Sequence, residues 1–66
     1  METKVRDKYN MIIGYIRGDD SRQTGIHVRK GYCGYYLKSA DLTFDKNGQI
    51  YCYGNGLDSL IREANK

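Results

Sequence analysis

The sequence predicts a mainly β protein, a small array of β-hairpin repeats with a short C-terminal α-helix. Three observations predict it. A tyrosine-bearing apolar strand recurs as Met11-Ile12-Ile13-Gly14-Tyr15-Ile16, Tyr32-Cys33-Gly34-Tyr35-Tyr36-Leu37 and Ile50-Tyr51-Cys52-Tyr53-Gly54, with Tyr15, Tyr35 and Tyr53 spaced 20 and 18 residues apart. Self-similarity at so short a period marks one repeated supersecondary unit. Asn47-Gly48 stands between β-forming residues, a strong hairpin signal. Leu57, Leu60, Ile61 and Ala64 then fall at i, i+3, i+4 and i+7, the apolar stripe of a helix.

The first unit covers residues 5–18. Lys8-Tyr9-Asn10 is its tip, because Asn10 tolerates the left-handed backbone of a tight turn. The second unit covers residues 25–38, with Gly25 to Arg29 going out and Lys30-Gly31 at the tip. Its turn glycine falls one place later than Asn10 and Gly48, which predicts a bulge or a shortened strand. The third unit covers residues 42–54, and its Asn47-Gly48 turn predicts type I′ geometry. Asp7-Lys8 and Asp45-Lys46 occupy the same place before their turns, where an aspartate bonds backbone amides.

Between the first two units, Arg17 to Thr24 reads as an exposed polar loop. Lys38-Ser39-Ala40-Asp41 is a shorter connector. The helix spans about residues 56–65, with Asn55 or Asp58 as its cap. Arg62 and Lys66 lie toward its end, where the helix dipole favours cations. The units and the helix make one domain over residues 1–66.

Strand alternation sets Ile12, Gly14 and Ile16 on one face and Ile13 and Tyr15 on the other. Neither face of the repeated strands carries a charge, so both should be covered. The candidates for the second cover are another subunit, a ligand or the helix. Gly14 and Gly34 recur in register, where a missing side chain admits a close neighbour. A chain of this size buries only roughly 60% of its unfolded surface, so self-association is the expected source of extra stability.

Eleven basic and eight acidic residues give a net charge of +3, which fits an anionic partner. Seven tyrosines with no tryptophan suit stacking on bases or wet interfaces. The plainer account is that tyrosine favours strands. Cys33 and Cys52 lack zinc-knuckle spacing, and with His27 as the one histidine a four-ligand metal site is hard to build. No apolar run approaches the ~20 residues of a membrane span. Met1-Glu2-Thr3-Lys4 opens directly into charged sequence, so the expected setting is cytoplasmic, with free thiols.

Arg6-Asp7-Lys8-Tyr9-Asn10-Met11-Ile12-Ile13-Gly14-Tyr15 resembles the Arg-Asp-x-x-Gly-x-Ile-x-Gly-Tyr repeat of the four-fold β-flower family, small proteins of bacteria and their mobile elements. Gly34-Tyr35-Tyr36 and Asp45-Lys46-Asn47-Gly48-Gln49-Ile50 look like later units, and Gly54-Asn55-Gly56-Leu57-Asp58-Ser59-Leu60-Ile61 like the closing segment. Asn10 replaces the usual glycine, and the middle unit lacks its aspartate. The resemblance implies a compact array of hairpins and no catalytic residues.

Catalysis has little support. Cys33 or Cys52 with His27 could pair as nucleophile and base, but all three read as ordinary strand residues. Asp19-Asp20 lacks a complete cation loop, and no phosphate loop or cofactor motif is present. Gly54-Asn55-Gly56 before the helix could offer amides to a phosphate, but reads more simply as a turn. Two function classes remain. One is a non-enzymatic, homo-oligomeric binder of a nucleotide-type or single-stranded nucleic-acid ligand, such as a phage protein that sequesters a defence signal. Tyr35 and Tyr36 would stack the base, and Arg17, Arg22, Arg29 and Lys30 would meet phosphate. The other is a protein-interaction or inhibitor module, for a host protein or its own copies, whose tyrosine face is the interface.

Overall fold

A computed structural model describes residues 2–66. Met1, the first residue of the charged opening, lies outside the described residues. Six strands follow one another in an antiparallel meander, and each pairs with the next. They are β1 (Glu2–Arg6), β2 (Ile12–Gly18), β3 (Arg22–His27), β4 (Gly31–Leu37), β5 (Leu42–Asp45) and β6 (Ile50–Tyr53), followed by α1 (Leu57–Ala64). The predicted fold class is therefore the observed one: three hairpins joined side by side, with a helix on one face.

Each hairpin carries the same irregularity. Val5 and Arg6 pair with Gly14 and Ile12, which leaves Ile13 as an extra residue. Gly25 and Ile26 pair with Gly34 and Tyr32, which leaves Cys33. Thr43 and Phe44 pair with Cys52 and Ile50, which leaves Tyr51. The three bulged residues repeat the 20- and 18-residue spacing of the tyrosines. A bulge bends its strand and re-aims its side chain. This corrects the simple alternation expected for β2, since Ile13 is buried in the same core as the neighbours of Gly14.

That core is Val5, Ile13, Cys33, Leu57, Leu60 and Ile61, with Ile16, Tyr36 and Ala64 packed around it. The predicted helical stripe is thus the lid of the sheet, laid across β2, β3 and β4. It sits close because Gly14, Gly25 and Gly34 lie directly beneath Ile61, Leu57 and Leu60. A Cβ on Gly14 would come within 2.5 Å of both Ile61 Cγ2 and the Ile26 carbonyl oxygen. A Cβ on Gly34 would come within 2.7 Å of Leu60 Cδ2 and collide with the Phe44 carbonyl.

The first and third turns are the same device. The Asn10 and Gly48 amides donate to the carbonyls of Asp7 and Asp45 at 2.9 and 3.0 Å. Asp7 Oδ1 accepts from the amides of Tyr9 and Met11, and Asp45 Oδ1 from those of Asn47 and Gln49. Asn10 and Gly48 hold positive φ of 66° and 83°, as the sequence indicates. Asn47 does not, so the third turn is not the expected type I′. It is a four-residue turn, Asp45 to Gly48, whose last residue is left-handed, the three-residue hairpin loop with a glycine-type bulge. Gly31, at φ 78°, supplies the left-handed residue of the middle turn, one place later as read.

Two boundaries differ from the sequence reading. The polar stretch 17–24 is mostly strand, because Asp19 tightens the β2–β3 connection by accepting from the Ser21 amide, the Ser21 hydroxyl and the Arg22 amide. The residue at the helix start is Gly56, with no side-chain cap. Asn55 Oδ1 accepts from the Leu57 amide, and Asp58 pairs with Arg62 one turn on. Among the described residues, no helix is long and apolar enough to cross a membrane.

Candidate ligand-binding site

The hairpin tips all lie at one end of the sheet, and α1 runs toward that end. Lys8, Arg29, Lys30, Lys46 and Lys66 gather there. Asp19, Asp20, Asp41 and Asp58 sit at the opposite end, among the connectors and the helix start. Arg17, Arg22 and Lys38 also lie at that opposite end, and Asp7 and Asp45 at the tips, so the tips carry an excess of cations rather than all of them.

Between the second and third tips lies a cleft of about 280 Å³. Lys30, Asp45, Lys46 and Asn47 form its rim, and Tyr32, Cys33, Leu60 and Ala64 its remaining walls. Lys46 makes no salt bridge among the described residues. Both ammoniums are close enough to act electrostatically on the Cys33 thiol, yet burial dominates and pushes that thiol up from its ordinary value. Cys33 donates to the Gly31 carbonyl at 3.4 Å and contributes a neutral wall. Asp45 is engaged by its own turn. The site thus offers two ammoniums over an apolar floor, with an exposed aromatic, Tyr32, at its edge.

His27, an ordinary strand residue by its sequence, holds the middle tip in place. It is 1% exposed. Its Nδ1 accepts from the amides of Arg29 and Lys30 at 3.1 and 3.2 Å. It therefore takes the part that Asp7 and Asp45 play in the other hairpins, and lies 20 residues after one and 18 before the other. That spacing was the available signal. With Nδ1 accepting, Nε2 carries the proton and donates to Asn65 Oδ1 at 3.0 Å. Both ring nitrogens are occupied, so His27 forms no nucleophile pair with Cys33. Cys33 and Cys52 are free thiols.

The six residues expected to form one site do not converge. Lys30 lines the cleft. Arg29 is at the same tip, but its guanidinium donates to Asn65 Oδ1 at 3.3 Å, where it supports the helix end. Arg17 and Arg22 lie at the far ends of β2 and β3, on the sheet face away from α1. Arg17 pairs with Glu2 at 2.5 Å and lies over the Tyr15 ring. Arg22 stands 4.7 Å from the Tyr35 ring centre, and Phe44 stacks on that ring at 4.9 Å. Because Arg22 belongs to β3 and Phe44 to β5, they flank Tyr35 from opposite sides, and neither ring face is free for a base. Tyr36 points to the helix side, where its hydroxyl donates to Asp41 at 2.8 Å, and the carboxylate raises the phenol above its ordinary value.

The helix start is equally committed. The Gly56 amide donates to Thr43 Oγ1 at 2.8 Å and the Leu57 amide to Asn55, so a phosphate would have to displace both. Asp19 is held below the usual carboxylate range by its bonds to Ser21 and Arg22. No three of His, Cys, Asp and Glu converge on a metal position among the described residues.

Fold and site together define a class, a small antiparallel meander with a helical lid and a basic cleft at its hairpin tips. No family model, curated protein or solved structure matches the chain. The β-flower resemblance therefore rests on its short motifs alone.

Proposed function

We propose that this is a non-enzymatic binding protein that takes a nucleotide-type anionic ligand in the cleft between its second and third hairpin tips. The observation that carries this reading is the approach of Lys30 and Lys46 from different hairpins to the rim of one apolar-walled cleft. Two ammoniums suit phosphate, and apolar walls with an aromatic edge suit a base or another flat group. The cleft's volume of about 280 Å³ sets the scale at a small molecule rather than a strand of nucleic acid. The Lys30 ammonium also reaches the Lys66 carbonyl at 3.5 Å, so part of its charge serves the helix end. The Lys46 ammonium makes no salt bridge among the described residues and is the cation more available to a ligand.

Calorimetry with mono-, di- and cyclic nucleotides at two salt concentrations tests the reading. Micromolar binding that weakens with salt and is lost in Lys46→Glu is the expected result. Affinity no tighter than millimolar across the panel, or binding indifferent to Lys46, rejects it. The absorbance ratio of freshly purified protein at 260 and 280 nm gives an early indication, since retained nucleotide raises it.

A further inference from the structure

We infer that the sheet face opposite α1 is the contact surface of a homodimer, closed by a second copy of this chain packed face to face over β4, β5 and β6. The helix covers one side of the sheet alone. Cross-strand partners share a face, so the register places Tyr35, Leu37, Leu42, Phe44, Ile50 and Tyr53 together on the other. Ile50 is 56% exposed and Tyr53 is 85% exposed.

Charge says which part of this face is shared and with what. The β4–β6 half carries none. The β1–β3 half carries Lys4, Arg6, Arg17 and Arg22, with Glu2 the one acid, spent on Arg17. A two-fold axis over the uncharged half buries no ion and sends the two basic halves to opposite rims, where water screens them. An interface of this kind is self-complementary. The ring arrangement favours a protein over bases. Tyr35 is already flanked by Phe44 and Arg22, so the aromatics form a packed layer, ready for another layer at sheet-to-sheet distance, rather than open stacking platforms.

The test is mass by light scattering at micromolar concentration, on the wild type, on the double variant Ile50→Glu with Tyr53→Glu, and on Tyr9→Glu. Tyr9 is 74% exposed at the first tip, away from this face, and serves as the control. The expected wild-type and control mass is twice the chain's 7.6 kDa, and the double variant should fall to one chain with an unchanged circular dichroism spectrum. A wild-type melting temperature that rises with protein concentration is expected as well. It keeps the proposal testable should the double variant fail to fold. A monomeric wild type, a double variant that stays dimeric, or a melting temperature independent of concentration overturns the inference. So does a monomer that carries nucleic acid on this face. Nucleotide affinity at the cleft is a separate readout, so either proposal can fail alone.

Discussion

His27 Nε2 donates to Asn65 Oδ1 across 3.0 Å, and this bond ties the tip of the second hairpin to the end of the helix. The same imidazole gathers the Arg29 and Lys30 amides on its other nitrogen. One buried ring therefore fixes both the turn that presents Lys30 and the helix that forms the neighbouring wall.

Replacing His27 should show this double role. In His27→Phe the ring volume is kept but two amides and Asn65 lose their partner. An unpaired buried group costs about 1–3 kcal/mol, so a loss of at least 2 kcal/mol is expected in urea denaturation. His27→Asn restores a short-side-chain acceptor like that of the other turns and should recover part of the loss. Equal stability of the two variants would show that the turn does not depend on the acceptor.

Gly14→Ala should lower stability by about 1–3 kcal/mol, the usual cost of overpacking. The added methyl meets the Ile26 carbonyl and Ile61, and the backbone oxygen cannot give way cheaply. Gly25→Ala is the milder comparison, since its nearest neighbour is Leu57 Cδ2 at 3.2 Å, a flexible side chain. Gly25→Ala proving the worse of the two would mean that the helix is not seated on Gly14.

Gly48 isolates backbone strain from packing, because nothing lies within 4 Å of a Cβ built there. Its φ of 83° is nonetheless left-handed. Gly48→Val should cost about 1–3 kcal/mol, whereas Gly48→Asn should be nearly silent, as Asn10 occupies the equivalent position with φ 66°. Matching melting temperatures for the Val and Asn variants would contradict this account.

Alkali should unfold the protein earlier than acid chemistry alone suggests. Burial raises the Cys33 thiol above 9.0, while the Asp41 bond raises Tyr36, and burial with Glu63 raises Tyr51, above 10.0. Each group holds its proton more tightly folded than unfolded. The stabilisation is complete below the unfolded values and is lost as pH rises through the folded ones. The melting temperature should therefore decline from about pH 9 upward, and less steeply in Tyr36→Phe. A flat profile to pH 11 would refute the linkage. For the same reason an alkylating reagent at neutral pH should modify Cys52, which is partly exposed, before the buried Cys33.

What the chain spells out by itself is local. Asn10 and Gly48 announce left-handed turns because few other residues accept that backbone, and Leu57, Leu60 and Ile61 announce a helix because their spacing is helical. Those signals compare neighbours a few residues apart. The type of the third turn is not local in this sense, since Asn-Gly is compatible with more than one turn and the Asp45 carboxylate selects among them. The rest was settled only by tertiary structure. Bulges at Ile13 and Cys33 turn both side chains into the core, which strand alternation does not foretell. His27 stands in for an aspartate that the residue type conceals. Lys30 and Lys46 share a cleft because the sheet brings two tips and the helix together, while Arg17 and Arg22 are sent to the far end. Strand direction and the seat of the helix decide such meetings, and both arise from the packing of the whole sheet rather than from any one segment.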